Sequence, residues 1–265
     1  MRIVYVLALC AAIFLFAPAR PVFSPQTDPS YFTVATTRDA YGRVVHLYGD
    51  SLMRGWALRR FPDEFTDAQR RAEANWRYRS PAAMLNSTAW HAGAVAIFAG
   101  KTGQPSGATA DLMRERVRIG MIRPGDVVVL EDSGRHAGDP IAYAANWLAL
   151  RRALANADVT IIMITVPDRV TEESLSGAPA HLFRYDAPFN GITHNAATAN
   201  AAQAPVEGTS RTILVELNET LEVSGRLHRD GVHPNIYGQC IMAAAIANAA
   251  ELPVPNCPRR APRHS

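Results

Sequence analysis

The sequence is poor in lysine, cysteine and net charge. Lys101 is the only lysine among 27 basic residues, and the formal net charge of +3 is too small to indicate a nucleic-acid partner. No internal repeat or long low-complexity stretch interrupts the 265 residues, a length that suits one sizeable domain. The histidines are scattered without the spacing of a zinc motif. We therefore expect neither a metal nor a cofactor.

The N-terminus carries the pattern of an export signal. Arg2 precedes an apolar run over residues 3–16, and an Ala-Pro-Ala sequence follows at 17–19. A basic residue, an apolar stretch and an A-x-A site are typical of a cleaved secretory signal, so residues 1–19 are predicted to be removed. The run is short for a membrane span. The protein is expected to be secreted or periplasmic, without a stable membrane span after cleavage; an uncleaved anchor through residues 3–16 is the alternative.

Cys240 and Cys257 are the two cysteines outside the predicted signal. In an oxidising compartment they could form a disulfide that ties the C-terminal tail to the last predicted helix. The tail, residues 253–265, has four prolines and is expected to run over the surface or to fray. Residues 20–40 are interpreted as a leader into a domain that spans residues 41–252.

Strand-like and helix-like segments alternate through this domain. Five runs rich in valine and isoleucine predict strands at 44–48, 94–98, 126–130, 159–166 and 212–217. Helical patterns are predicted at 53–60, 67–78, 108–118, 141–155, 190–203 and 235–249. Most of the strands are continuously apolar, which is typical of a parallel sheet covered on both faces. The alternation predicts a three-layer α/β/α, flavodoxin-like sandwich with a mainly parallel five-stranded sheet and right-handed crossovers.

A Gly-Asp-Ser motif at 49–51 follows the first predicted strand. The strand-to-helix junction places Ser51 at the carboxyl end of a strand, where active sites of open α/β sheets lie. Its hydroxyl could act as a nucleophile, and its backbone N–H could stabilise an oxyanion. Taken alone, the motif is equally compatible with an ordinary helix cap.

A second segment supplies an acid and a base. Asp230 and His233 stand three positions apart, just before the last predicted helix. Histidine is the usual general base near neutral pH, and an aspartate can orient its ring. Alone, this pair could be a surface histidine in an Asp-Gly turn. With Ser51, the pair completes the three groups of a serine hydrolase.

The order and spacing of these motifs resemble the SGNH (GDSL-type) family of serine esterases and lipases. The resemblance covers roughly residues 42–250 and implies Ser51 as nucleophile, His233 as base and Asp230 as orienting acid. The other common serine-hydrolase fold requires Gly-x-Ser-x-Gly, and the sequence Gly-Asp-Ser-Leu-Met at 49–53 lacks the second glycine.

The same resemblance implies an oxyanion hole with donors from three segments. These are the backbone N–H groups of Ser51 and Gly103, and a side chain after the third strand. The family carries an asparagine in that third position, whereas this chain has Ser133. Loss of one donor typically costs about 100- to 1000-fold in rate. Gly103 could also be a simple turn glycine.

The sequence thus favours an exported serine esterase that hydrolyses carboxylic esters, with short acyl esters on small molecules or carbohydrates as the expected substrates. Two alternatives stay open. The same acyl-enzyme could transfer its acyl group to a sugar hydroxyl, or the domain could be a silent module that binds an envelope polymer.

Overall fold

The fold is taken from a computed structural model of the chain. The described residues are 42–49, 51–54, 80–99, 106–131, 140–165, 191–222 and 234–257. Within these ranges, no helix is both long and apolar enough to cross a bilayer.

Five strands and seven helices alternate along the described ranges. The strands are β1 (Arg43–Tyr48), β2 (Ala94–Phe98), β3 (Val127–Glu131), β4 (Thr160–Ile164) and β5 (Arg211–Val215). The helices are α1 (Ser51–Arg54), α2 (Pro81–Ala89), α3 (Ser106–Arg118), α4 (Pro140–Leu154), α5 (Gly191–Gln203), α6 (Asn218–Glu222) and α7 (Ile236–Ala249). A 3₁₀ turn over Trp90–Ala92 joins α2 to β2.

The strands form one parallel sheet in the order β2-β1-β3-β4-β5. In the β1–β3 register, Leu47 lies beside Val129 and Tyr48 beside Leu130. Because parallel strands all end at one edge, the segments that follow β1 and β3 leave the sheet side by side. The predicted α/β class, strand number and parallel pairing are confirmed.

Helices cover both faces of this sheet. Helices α3, α4 and α5 contribute to a buried cluster with Tyr48 and Val128, whereas α2 and α7 contribute to a second cluster with Leu47 and Val129. Neighbouring strand residues point to opposite faces, which explains why the strands are apolar at nearly every position. Helix α2, between β1 and β2, packs on one face. Helix α3, which carries the chain from β2 back across β1 to β3, packs on the other. Right-handed crossovers require this change of face.

Two helices were not predicted from the sequence. Residues 61–90 were interpreted as a long connection with a helix at 67–78, which lies outside the described residues. After residues 67–78 the chain forms α2, where the Ser80 hydroxyl caps the first turn by accepting from the Ala83 N–H at 3.3 Å. Helix α6 begins at Asn218, where the Thr165 hydroxyl accepts the N–H groups of Leu217 and Asn218.

Four of the five predicted strands differ from the observed strands by one or two residues at one or both ends. The prediction started β3 at Asp126, but this residue precedes the strand because its carboxylate accepts the N–H groups of Val44 and Arg123. The predicted strand 159–166 ends as β4 at Ile164, since the Thr165 hydroxyl turns toward α6. The predicted strand 212–217 is observed as β5 at Arg211–Val215. It ends before Leu217 because the Leu217 N–H donates to the Thr165 hydroxyl.

A disulfide joins α7 to the C-terminal tail. The sulfurs of Cys240 and Cys257 are 2.08 Å apart, and 17 positions separate the two residues. The tail also accepts a hydrogen bond at the Pro253 carbonyl from the Thr88 hydroxyl at 2.7 Å. Residues 251–257 are therefore held against α2 and α7, and residues 258–265 lie outside the described part of the chain.

Reduction of this disulfide should lower the free energy of unfolding by about 3 kcal/mol, because a closed loop of this length restricts the unfolded chain. Urea unfolding with and without dithiothreitol measures the loss. The variant Cys257→Ser should lose a similar amount and should not respond further to the reductant. Equal stability of the oxidised and reduced wild type would contradict the prediction.

Candidate active site

The carboxyl end of β1 lies at the topological switch point of the sheet. Strand β1 stands between β2 and β3, and the helices that follow β1 and β3 pack on opposite faces of the sheet. In sheets of this kind, a crevice opens outside the strand ends at the switch point, and ligands bind there. Helix α1 begins at Ser51, three residues after β1 ends at Tyr48. The backbone of Ser51 is thus at the position where this fold places a binding crevice.

Two buried side chains anchor α1 beside the sheet. Leu52 is 2% exposed and Met53 is fully buried, and Met53 packs in the cluster that contains Leu47 and Ile246. Burial of a side chain of this size contributes about 1.5–3 kcal/mol. The backbone N–H groups at the start of a helix have no acceptor within the helix. The anchored α1 therefore holds the Ser51 N–H at the end of the sheet.

Gly49 lies where the turn from β1 to α1 passes over the end of β3. A Cβ atom at this position would overlap with the Glu131 carboxylate and would lie 2.9 Å from the Met53 Cβ. Real Cβ atoms essentially never come so close to another heavy atom. The first residue of the Gly-Asp-Ser motif is therefore a glycine because there is no space for a side chain.

Replacement of Gly49 by alanine should destabilise the protein by about 1–3 kcal/mol, the usual cost of forcing an extra methyl group into a packed site. Chemical denaturation measures the change. Gly42→Ala is the matched control, because a Cβ there meets nothing within 4 Å. Equal stability of the two variants would show that the turn can move away from Glu131 at little cost.

Glu131 is a buried acid at this edge that the sequence analysis did not identify. It is 5% exposed and is the last residue of β3, next to Gly49. The prediction ended the strand at Leu130 and left Glu131 in the loop. The signal in the sequence is a glutamate directly after four apolar residues. A buried carboxylate is costly unless polar groups surround it, so Glu131 indicates a polar environment beside the Ser51 turn.

Arg116 connects the ends of β1 and β2 from the other face of the sheet. It is 2% exposed, and its Nη1 donates to the Tyr48 hydroxyl and to the Ala99 carbonyl, both at 2.7 Å. The guanidinium also lies 5.2 Å from the centre of the Tyr48 ring. Tyr48 precedes the Gly-Asp-Ser motif, and Ala99 lies four positions before Gly103 in the sequence. One buried side chain thus supports both segments that the predicted oxyanion hole requires.

The charge states of this pair follow from burial. Desolvation lowers the pKa of Arg116 to about 10, which leaves the guanidinium cationic at neutral pH. Burial and, to a smaller extent, the negative charge of Asp126 raise the pKa of Tyr48 well above its ordinary value. Tyr48 therefore stays a neutral phenol that accepts from Arg116. The pair supplies one fixed positive charge beneath the ends of β1 and β2.

A buried histidine–aspartate pair occurs elsewhere in the sheet. The His46 Nε2 lies 3.1 Å from Asp126 Oδ2, and both residues are buried. Asp126 also accepts the backbone N–H of Val44 at 3.0 Å. Since Asp126 precedes β3 while Ser51 follows β1, the pair is at the opposite end of the strands. It joins β1 to the loop before β3 and is not part of the candidate site.

The predicted base immediately precedes α7. Asn235 caps this helix, and its side chain accepts from the N–H groups of Tyr237 at 2.9 Å and Gly238 at 3.2 Å. Pro234, the residue after His233, is buried beside this cap. The start of α7 is thus fixed locally, next to the position predicted for the imidazole.

Several predicted site residues lie outside the described part of the chain. They are Asp230, His233, Gly103, Ser133 and the side chain of Ser51. Their roles and their mutual distances stay predictions. Within the described ranges, no group of three or more histidines, cysteines or acids is arranged to hold a metal ion.

The fold can be compared with proteins of known structure. The psychrotrophic esterase EstA from Pseudoalteromonas sp. matches with a TM-score of 0.52 and 12% identity, over 78% of this chain and 96% of the esterase. A carbohydrate esterase of family 3 from Talaromyces cellulolyticus matches with a TM-score of 0.46 and 14% identity, over 77% of this chain and 94% of that enzyme. No protein-family model matches the chain, and no curated protein matches it in sequence.

The match to the Pseudoalteromonas esterase identifies the fold. At 12% identity, the match to the Pseudoalteromonas esterase shows a shared architecture, and the resemblance to SGNH-type esterases is confirmed at that level. The structure therefore defines a three-layer α/β domain with the architecture of that esterase, with Ser51 at the start of the helix after β1.

Proposed function

We propose that the protein is an exported serine esterase that cleaves short acyl esters through an acyl-enzyme on Ser51. The observation that carries the proposal is the position of Ser51, at the first residue of α1 and at the switch point of a 2-1-3-4-5 parallel sheet. An esterase has the same fold and is described as inhibited by monoethylphosphonate. Phosphonates resemble acylating reagents because they react with activated nucleophiles.

In the proposed reaction, His233 removes the proton of the Ser51 hydroxyl as the oxygen attacks the ester carbonyl. Asp230 orients the imidazole and stabilises its protonated form. The alcohol leaves with the proton from His233, and the acyl group stays on Ser51. Water, deprotonated by the same imidazole, then releases the acid and restores the enzyme.

The developing oxyanion would accept from the backbone N–H groups of Ser51 and Gly103, with Ser133 in the third position. Arg116 supports this arrangement from below, because it binds the residues that precede both backbone segments. Preorganised donors of this kind stabilise the transition state because they need no rearrangement during the reaction.

Export is part of the proposal. The N-terminal pattern over residues 1–19 favours a secretory route, and the disulfide between Cys240 and Cys257 is typical of proteins that mature in an oxidising compartment. Small-molecule or carbohydrate esters outside the cytoplasm or in the periplasm are then the substrates that the enzyme would meet.

The test is the release of acid from short acyl esters by the mature protein. We expect acetate from p-nitrophenyl acetate and from acetylated oligosaccharides, with products followed by mass spectrometry in the presence of a sugar acceptor. Free acetate as the main product supports hydrolysis, whereas an acylated acceptor would identify a transferase. Absence of turnover on the whole ester series would overturn the proposed activity.

A further inference from the structure

Gln239 is a buried polar residue in an otherwise apolar part of α7. It is fully buried in the first turns of the helix, close to Asn235, the helix cap. Its neighbours on the buried side of α7 include Met242 and Ala243, which belong to the core cluster. An amide in such a place is costly unless its polar atoms are bonded.

The Gln239 side chain joins two segments that are far apart in the sequence. Its Nε2 donates to the Leu52 carbonyl at 3.1 Å and to the Pro234 carbonyl at 3.3 Å. Because both partners are carbonyl oxygens, only the NH₂ group can face them, and the orientation of the amide is determined. One side chain thus holds the backbone of α1 and the backbone that leads into α7.

Both carbonyl groups belong to residues next to the predicted catalytic pair. Leu52 follows Ser51, and Pro234 follows His233. A nucleophile and its base must come within about 2.6–3.2 Å of each other, and a misplacement of about 1 Å can reduce the rate about 100-fold. A single amide that holds both backbones can therefore set the distance between the two groups.

The amide joins the two segments through its NH₂ group alone. The Oε1 of Gln239 is buried and has no hydrogen-bond partner among the described residues. An apolar side chain of the same length would fill the same space but would remove both donated bonds. Such a replacement therefore isolates the link between the two backbones.

We infer that Gln239 is a positioning residue, which holds the Ser51 helix and the His233 segment at a fixed separation through Leu52 and Pro234. The inference rests on the proposed esterase function. It assigns no contact with the substrate to Gln239. It predicts that loss of the two donated hydrogen bonds impairs the chemical step and leaves substrate binding largely unchanged.

The test is the variant Gln239→Met, which keeps the length of the side chain and removes both donors. We expect kcat and the rate constant of fluorophosphonate labelling to fall about 10- to 100-fold, with KM within about twofold of the wild-type value. Asn86→Leu is the matched control. It removes a side-chain amide of α2 that bonds β2 rather than α1, through the Ala96 N–H at 2.6 Å and the Ala96 carbonyl at 2.7 Å. It should lose stability but keep kcat.

Hydrogen exchange separates this inference from the proposed activity. In Gln239→Met, the amides of residues 51–54 and 236–240 should exchange faster than in the wild type, while those of β4 and β5 stay unchanged. Gln239→Asn, which is too short to reach both carbonyls, serves if the methionine variant does not fold. Unchanged exchange in these segments, or wild-type labelling by the variant, would overturn the role of Gln239. A wild-type protein that does not react with the probe would instead overturn the esterase proposal.

Discussion

Replacement of Ser51 by alanine is expected to lower kcat on a short acyl ester by about 10⁴- to 10⁶-fold. Without the hydroxyl, no acyl-enzyme can form, and only binding and the oxyanion donors contribute to the residual rate. KM should change little, because the side chain lost is a reacting group rather than a binding group. Steady-state kinetics with p-nitrophenyl acetate measure both constants.

Ser87→Ala is the matched control for this experiment. Ser87 is also a helical serine, but it lies exposed on α2 and its hydroxyl donates only to the nearby Met84 carbonyl at 2.6 Å among described contacts. The kcat of the Ser87→Ala variant should equal that of the wild type. If Ser51→Ala kept more than about one tenth of the wild-type kcat while remaining folded, Ser51 would not be the nucleophile.

Replacement of His233 by alanine should cause a loss similar to that of Ser51→Ala, and the double variant should be no slower than either single variant. The two residues act as one unit in the proposed mechanism, so removal of the second has nothing further to eliminate. Two independent contributions would instead multiply. The same assay of kcat for both single variants and for the double variant makes the comparison.

His91→Ala controls for the loss of a histidine elsewhere. His91 is exposed and its ring lies 3.5 Å from that of Trp90, at the turn before β2. This variant should keep wild-type kcat. A double variant much slower than both Ser51→Ala and His233→Ala would mean that the imidazole acts independently of the hydroxyl.

The sheet could be predicted well from the sequence because its strands are buried on both faces. Five short runs of branched apolar residues, separated by helical patterns, correspond to five observed parallel strands. Helix α2 was missed since residues 81–89 are mostly alanine, serine, asparagine and threonine, with little apolar periodicity. Its start signal was present, because Ser80 caps the helix and Pro81 occupies its first position.

The supporting residues of the candidate site could not be predicted in the same way. The burial of Glu131 depends on which side of a strand boundary it lies, and sequence patterns locate such boundaries only to within a few residues. The contacts of Arg116 and Gln239 join segments that meet only in the folded chain; the Gln239–Leu52 bond spans 187 positions. The sequence shows them only as polar residues within helical patterns.

The site of reaction with a fluorophosphonate probe shows directly whether Ser51 is the nucleophile. The mature wild-type protein should gain one probe mass, and peptide mass spectrometry should locate it on Ser51. The variants Ser51→Ala and His233→Ala should not be labelled. A wild-type protein that stays unlabelled, or a label on any other residue that survives Ser51→Ala, would show that Ser51 is not an activated nucleophile.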